Sequence, residues 1–322
     1  MFYIIVSLVF VTSQLTTAVG PEPEADGDFA DSKKQFDYDA RAPLAVETRL
    51  LYERDGAKVH DVSYASPLGG RVTAFLVTPT GPPPHCGLVF GHWGPGDRTE
   101  FLPEAKLYAR AGAVSLLVDY PWARPAPWNK RLKFLDDPES DHKAFVQAVV
   151  DFRRGLDLLA SRPDVDPGRL AYVGHSYGAQ WGAILSAVDD RLKGVVLMGG
   201  IPDAEAIYRD GEDPGLIELR ANTPGEKLEA FFKVHRRTAA IRYVPHARAP
   251  LLFQFARHER LFDEKAMDRY AAAATGSKEV KWYDTGHDLN DVQALLDRAS
   301  WLRKRVGLRP IGPILREKMS NE

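Results

Sequence analysis

Cysteine is nearly missing from this chain: Cys86 is the only one in 322 residues. An intramolecular disulfide is therefore excluded, and so is a zinc site built from several thiolates. Cys86 lies beside a continuous apolar run, where a free thiol reads as a buried structural group rather than a reactive one. An excess of either charge is missing too. Lys and Arg number 42 against 44 Asp and Glu, for a formal net charge of −2. No basic run interleaved with aromatics occurs, so neither nucleic acid nor an anionic membrane is an expected partner. There is also no apolar stretch long enough to span a bilayer. The run from Phe2 to Val11 is too short for that and fits the h-region of a secretory signal, with small residues following at Thr16, Thr17 and Ala18. Its n-region is atypical, because the first basic residue of the chain is Lys33.

The expected organisation follows from these features. Residues 1–20 read as a signal peptide, which implies a secreted or periplasmic protein with no stable membrane insertion once the signal is removed. Residues 21–45 begin acidic and Pro-containing and read as a linker. One domain is expected over 46–310, with 311–322 as a tail. A hydrophobic content of 44% with 27% charged residues suits an ordinary globule with a substantial core.

Within that domain the chain alternates strand-like and helix-like segments. Val59–Tyr64 and Val72–Val77 flank Pro67-Leu68-Gly69-Gly70 and read as a hairpin. Continuous apolar runs follow at Gly87–Phe90, Ala113–Val118, Leu170–Val173, Val195–Met198, Leu251–Phe255 and Val280–Tyr283, as expected of strands covered on both faces. Helical patterns lie between most of them, at Glu104–Ala111, Ala144–Ala160, Ala179–Val188 and Glu264–Ala274. Val292–Arg305 reads as a closing helix. This predicts an α/β fold: a mostly parallel, doubly wound sheet of about eight strands with helices on both faces. Two stretches, 120–142 and 202–249, exceed simple connections and are expected to form lid-like insertions near the carboxyl ends of the strands, where ligands bind in such sheets.

One five-residue stretch points to chemistry. Gly174-His175-Ser176-Tyr177-Gly178 follows the apolar run Leu170–Val173 and opens a helix of small residues. A serine at the apex of a tight strand-to-helix turn stands clear of the sheet, and glycines two positions away on each side avoid collisions with neighbouring backbone. Such a pattern recurs by chance, so its partners must carry the argument. A serine hydroxyl needs a base, and the base needs a carboxylate to fix its tautomer. His287, in Tyr283-Asp284-Thr285-Gly286-His287-Asp288, follows the last strand and precedes the last helix, with Gly286 read as easing the turn. Glu259 follows the preceding strand, with Asp263 as the alternative acid. Asp284 and Asp288 flank His287 and are expected to point elsewhere. The two N–H donors for a developing oxyanion are assigned to Tyr177, after the nucleophile, and to Trp93 or Gly94 in Gly91-His92-Trp93-Gly94-Pro95-Gly96, with Trp93 preferred. His92 is read as orienting that loop. Trp93, Tyr120, Trp122 and Trp128 suit either a pocket wall for an aromatic or sugar-borne ester or packing beneath the insertions, and the substrate-pocket assignment takes His92, Tyr120 and Trp122.

With Gly91-His92-Trp93-Gly94, Gly174-His175-Ser176-Tyr177-Gly178, Phe255 to Glu259 and Gly286-His287 in this order, the chain resembles the α/β-hydrolase superfamily from about Val59 to Leu308. It lies nearest the dienelactone-hydrolase-like and acetyl-xylan-esterase-like branch. Two positions depart from the pattern: Trp93 stands where glycine often follows the loop histidine, and Glu259 stands where aspartate is commoner. The resemblance implies a serine hydrolase of carboxylic esters with a small-molecule substrate, no cofactor and no metal. Ser176 replaces the cysteine of true dienelactone hydrolases, and no aspartate nucleophile of the haloalkane-dehalogenase or epoxide-hydrolase kind is present. Two other readings stay open. A peptidase or amidase of the prolyl-oligopeptidase type shares the catalytic domain but has a large gating domain without counterpart here. A non-catalytic binding protein of the same fold usually lacks a triad member. Acyl and alcohol specificity and oligomeric state are not legible.

Overall fold

The structure, a computed structural model, describes residues 26–320. The expected signal peptide lies outside the described residues. Helix α1 (Asp26–Lys34) precedes three antiparallel strands, β1 (Glu47–Arg54), β2 (Ala57–Ala65) and β3 (Arg71–Pro79). The alternating part follows as β4 (His85–Gly91), α2 (Leu102–Arg110), β5 (Ala113–Val118), α3 (Pro138–Ala160), β6 (Val165–His175), α4 (Tyr177–Val188) and β7 (Leu192–Met198). Three helices, α5 (Ala204–Tyr208), α6 (Pro214–Asn222) and α7 (Gly225–His235), fill the second insertion. The chain then runs through β8 (Leu251–His258), α8 (Glu264–Ala273), β9 (Lys278–Gly286), α9 (Val292–Val306) and α10 (Gly312–Ser320).

All the strands join one sheet in the order β1-β2-β3-β5-β4-β6-β7-β8-β9. From β5 to β9 the pairings are parallel, so β4, β6, β8 and β9 present their carboxyl ends along one edge. The order reverses beside β4, whose neighbours are β5 and β6, and such a switch point is where a doubly wound sheet opens a crevice. One core lies between the sheet and α3, α4 and α8, and a second lies between the opposite face and α2 and α9. Strands β4 and β5 are buried at every residue, which is why they read as unbroken apolar runs. The hairpin turn is present too: Gly69 and Gly70 take φ +95° and +80°, and Ser66 N–H donates to Gly70 O.

The structure differs from expectation at its margins. The described residues form nine strands rather than about eight, because every residue of β1 is exposed and the strand shows no apolar alternation. Within 21–45, read as linker, α1 forms and Phe36 is fully buried in the first core. The tail also folds: Ile311 is buried, and α10 pairs Glu317 with Arg110 of α2 at 2.7 Å. The insertions pack on each other. Phe134 of the first meets Tyr208 and Phe231 of the second, and Lys227 pairs with Asp136. No helix among the described residues is long and apolar enough to cross a membrane.

Candidate active site

Strand β6 delivers Ser176 to the carboxyl edge. Its backbone has φ +56° and ψ −114°, a region an L-residue adopts only when the surroundings enforce it. Enforcement is visible: Ser176 N–H donates to Met198 O at the end of β7 at 2.8 Å, and Gly178 N–H donates to His92 O at 3.1 Å. A side chain at Gly174 would overlap the Gly178 carbonyl, and one at Gly178 would overlap Gly91 O. Both glycines are therefore needed for close approach. Ser176 caps α4, and the first helical N–H, that of Tyr177, has no partner among the described residues. Helix polarity places partial positive charge at that spot.

His287 and Glu259 meet from two loops at the same edge. Glu259 Oε2 lies 2.6 Å from His287 Nδ1, with the carboxylate side chain 2% exposed. Glu259 Oε1 accepts the N–H groups of Arg260 at 2.9 Å and Leu261 at 3.0 Å. Burial opposes the charge on Glu259. The His287 contact and the two backbone donors outweigh it and hold the carboxyl below its ordinary range. With Nδ1 donating to the carboxylate, Nε2 carries the lone pair, and it is buried without a hydrogen-bond partner among the described residues. There is no direct hydrogen bond between Ser176 and His287 among the described residues. Their loops nonetheless touch, since His175 Nε2 lies 3.0 Å from His287 O.

The alternative acid is elsewhere. Asp263 is exposed and caps α8, accepting the Ala266 N–H at 2.8 Å. Asp284 faces His258 at 2.7 Å rather than His287. The reason given for Gly286 does not hold: a side chain there would meet open space, and its φ is ordinary.

The oxyanion loop requires a correction. Trp93 N–H donates to Glu100 Oε2 at 2.6 Å, so it is already occupied. Gly94 N–H has no partner among the described residues, and Gly94 packs so tightly on the Tyr177 ring that a Cβ would collide with it. Of the two residues considered, Gly94 is therefore the one with an available donor beside the elbow. His92 orients the loop as expected. It is 2% exposed, Nδ1 bonds Trp93 O at 2.6 Å, and Nε2 accepts the Tyr120 N–H at 3.4 Å. Burial pushes its pKa down to about 4, so the ring is neutral. Tyr120 is fully buried, packs its ring at a tilt on that of His92 with 3.7 Å between centroids and donates its hydroxyl to His92 O. Trp122 Nε1 donates to Gly94 O at 2.8 Å. These three residues thus brace the loop after β4 through its backbone. Trp128 covers Gly70 at the hairpin.

Sequence reasoning missed Glu100 and His175, which bond each other at 2.7 Å between Oε1 and Nδ1. His175 was in view inside the elbow motif, but nothing marked Glu100, 75 residues away, as its partner. Among the described residues no group of three or more His, Cys, Asp or Glu is placed to hold a metal ion. Cys86 is buried, and burial pushes its thiol up to about 11.

The arrangement of sheet, elbow and loops is that of an α/β-hydrolase fold. The chain matches an acetyl xylan esterase from Paenibacillus sp. R4 with a TM-score of 0.72 and 21% identity, over 88% of this chain and 96% of the other. Acetyl Xylan Esterase 1 from Thermoanaerobacterium sp. JW/SL YS485 matches with a TM-score of 0.69 and 16% identity, over 86% and 93%. The acylaminoacyl peptidase of Pyrococcus horikoshii matches at 0.61 and 13%, over 79% of this chain but only 42% of the peptidase. No family model matches the sequence, and no curated protein does. At these identities the likeness is one of fold.

Proposed function

We propose that the protein is a serine hydrolase that cleaves carboxylic esters through an acyl-enzyme on Ser176. The observation that carries this reading is the Glu259–His287 pair at 2.6 Å, with the unbonded Nε2 turned inward and its loop docked on the elbow. Ser176 Oγ attacks the ester carbonyl as His287 Nε2 takes its proton. The tetrahedral oxyanion is held by the N–H groups of Tyr177 and Gly94, and Glu259 balances the imidazolium. His287 then returns the proton to the leaving alcohol. Water repeats the cycle on the acyl group and releases the carboxylic acid.

The acyl group is short in this proposal. Ser176 is only 5% exposed, and the second insertion lies over the first turn of α4, where Gln180 donates to Thr238 O. The test is hydrolysis of p-nitrophenyl esters from acetate to octanoate by wild type and Ser176→Ala, with fluorophosphonate labelling alongside. Turnover and labelling that both require Ser176 support the proposal; a folded wild type that shows neither overturns it in favour of a binding role. Turnover of an aminoacyl p-nitroanilide in place of esters would favour the amidase reading. Export rests on residues 2–11, and N-terminal sequencing of the exported fraction tests it.

A further inference from the structure

Glu100 and His175 take no part in the reaction just written, yet they join its parts. We infer that they are positioning residues, a hydrogen-bonded pair that holds the oxyanion loop and the base loop in register against the elbow. The inference rests on the reading of Ser176 as nucleophile.

Three contacts carry it. Glu100 Oε2 accepts the Trp93 N–H at 2.6 Å, Glu100 Oε1 faces His175 Nδ1 at 2.7 Å, and His175 Nε2 faces His287 O at 3.0 Å. The chain of bonds runs from the loop after β4, through the end of β6, to the loop after β9. These segments are far apart in sequence, with 75 residues between Glu100 and His175 and 112 between His175 and His287. His175 is 3% exposed. Both of its ring nitrogens lie within hydrogen-bond reach of an oxygen, so the ring is fixed from both sides. The only other ring packed against His175 among the described contacts is that of His287, at 5.1 Å between centroids.

The geometry explains what the pair does. With the Trp93 N–H held on Glu100, the next amide along, that of Gly94, is left for an oxyanion. With its carbonyl held by His175, His287 presents its ring from a fixed backbone position. Catalysis depends on such positions to a fraction of an ångström, and a 1 Å displacement costs about 100-fold. A pair that merely stabilised the fold would lower the melting temperature without this selective effect on the chemical step.

The experiment measures kcat and KM for p-nitrophenyl acetate, the rate of fluorophosphonate labelling and the thermal midpoint. It compares wild type, Glu100→Gln, His175→Gln and the double variant. Nitrogen-15 NMR of the His175 ring and the Trp93 amide is recorded on wild type and Glu100→Gln. The expected result is a loss of about 10- to 100-fold in kcat and in labelling for each single variant, with KM within about threefold. The double variant should fall no further than the worse single one, because the residues act as one unit. A His175 ring and a Trp93 amide whose signals both shift in Glu100→Gln complete the pattern. Single variants within twofold of wild-type kcat, strictly multiplicative losses, or a Trp93 amide that does not shift in Glu100→Gln overturn the inference while the hydrolase reading stands. If these variants fail to fold, Glu100→Asp, which keeps the carboxylate one methylene short, decides between these outcomes. A wild type that is inert and unlabelled with its ring bonds intact overturns the hydrolase reading, and the positioning role falls with it.

Discussion

Glu259 Oε2 and His287 Nδ1, 28 residues apart in the chain, meet at 2.6 Å. The carboxylate is anchored on its other side by two backbone N–H groups, so it cannot turn away without breaking them. The imidazole is thereby held in the one tautomer that leaves Nε2 free for the serine proton.

Glu259 and Asp263 should therefore separate cleanly. Glu259→Gln is expected to lower kcat by about a thousand- to ten-thousandfold by inverting the hydrogen-bond pattern at Nδ1. Asp263→Ala is expected to leave kcat within about threefold while costing about 1 kcal/mol of stability through loss of the α8 cap. Ester kinetics and urea unfolding on both variants check this; equal losses of activity would return the acid role to Asp263.

Trp93 and Gly94 differ in the same way. The Trp93 side chain is 41% exposed and its N–H is held by Glu100, so Trp93→Ala is expected to keep kcat within about threefold. A methyl group at Gly94 would meet the Tyr177 ring and displace the loop. Gly94→Ala is expected to lower kcat by about 100-fold or more, the scale of losing one oxyanion donor. Steady-state kinetics of the two variants at matched thermal stability decide the assignment; a larger loss in Trp93→Ala refutes it.

Stability should fall with mild acid. Burial holds His92 and His142 at about 4 and His235 at about 3, below the ordinary 6.5. His142 Nδ1 and His235 Nε2 have no partner to favour a proton. Below about pH 6.5 the unfolded chain protonates these rings while the folded protein does not, so stability is lost as pH drops from about 6.5 towards 4. Each ring contributes up to about 1.4 kcal/mol per pH unit in that window. Chemical unfolding at pH 7 and pH 5 should show the decrease, and His235→Phe should make it shallower. An identical slope in wild type and variant would remove His235 from the account.

Acyl length gives a fourth expectation. With Ser176 5% exposed beneath the insertion, acetate is expected to exceed octanoate in kcat/KM by at least about tenfold. A preference for octanoate in the p-nitrophenyl series would mean that the insertion opens in solution.

Much of the fold was legible because burial leaves a pattern in residue type. Strands β2 to β8 read correctly, since one or both faces are covered and the residues alternate or run apolar; β9 is a strand as expected but is not covered on both faces, with Tyr283 its one buried residue. Strand β1 did not, because all of its residues are exposed and a strand without a buried face has no period. Helices α1 and α10 escaped for a related reason: both are mostly polar, and the buried residues beside them, Phe36 and Ile311, are too few to set a period.

The sequence by itself determined where chemistry would gather. Ser176, Glu259 and His287 each follow a strand, and parallel strands carry whatever follows them to one edge of the sheet. Only the tertiary structure decided which groups there are available. Whether the Trp93 or the Gly94 amide is open depends on where Glu100 sits, and whether Asp263 or Glu259 reaches His287 depends on which one caps a helix. A backbone N–H has the same chemistry in every residue that carries one. Its direction and its partner come from contacts between distant segments, which residue identity along the chain does not encode locally.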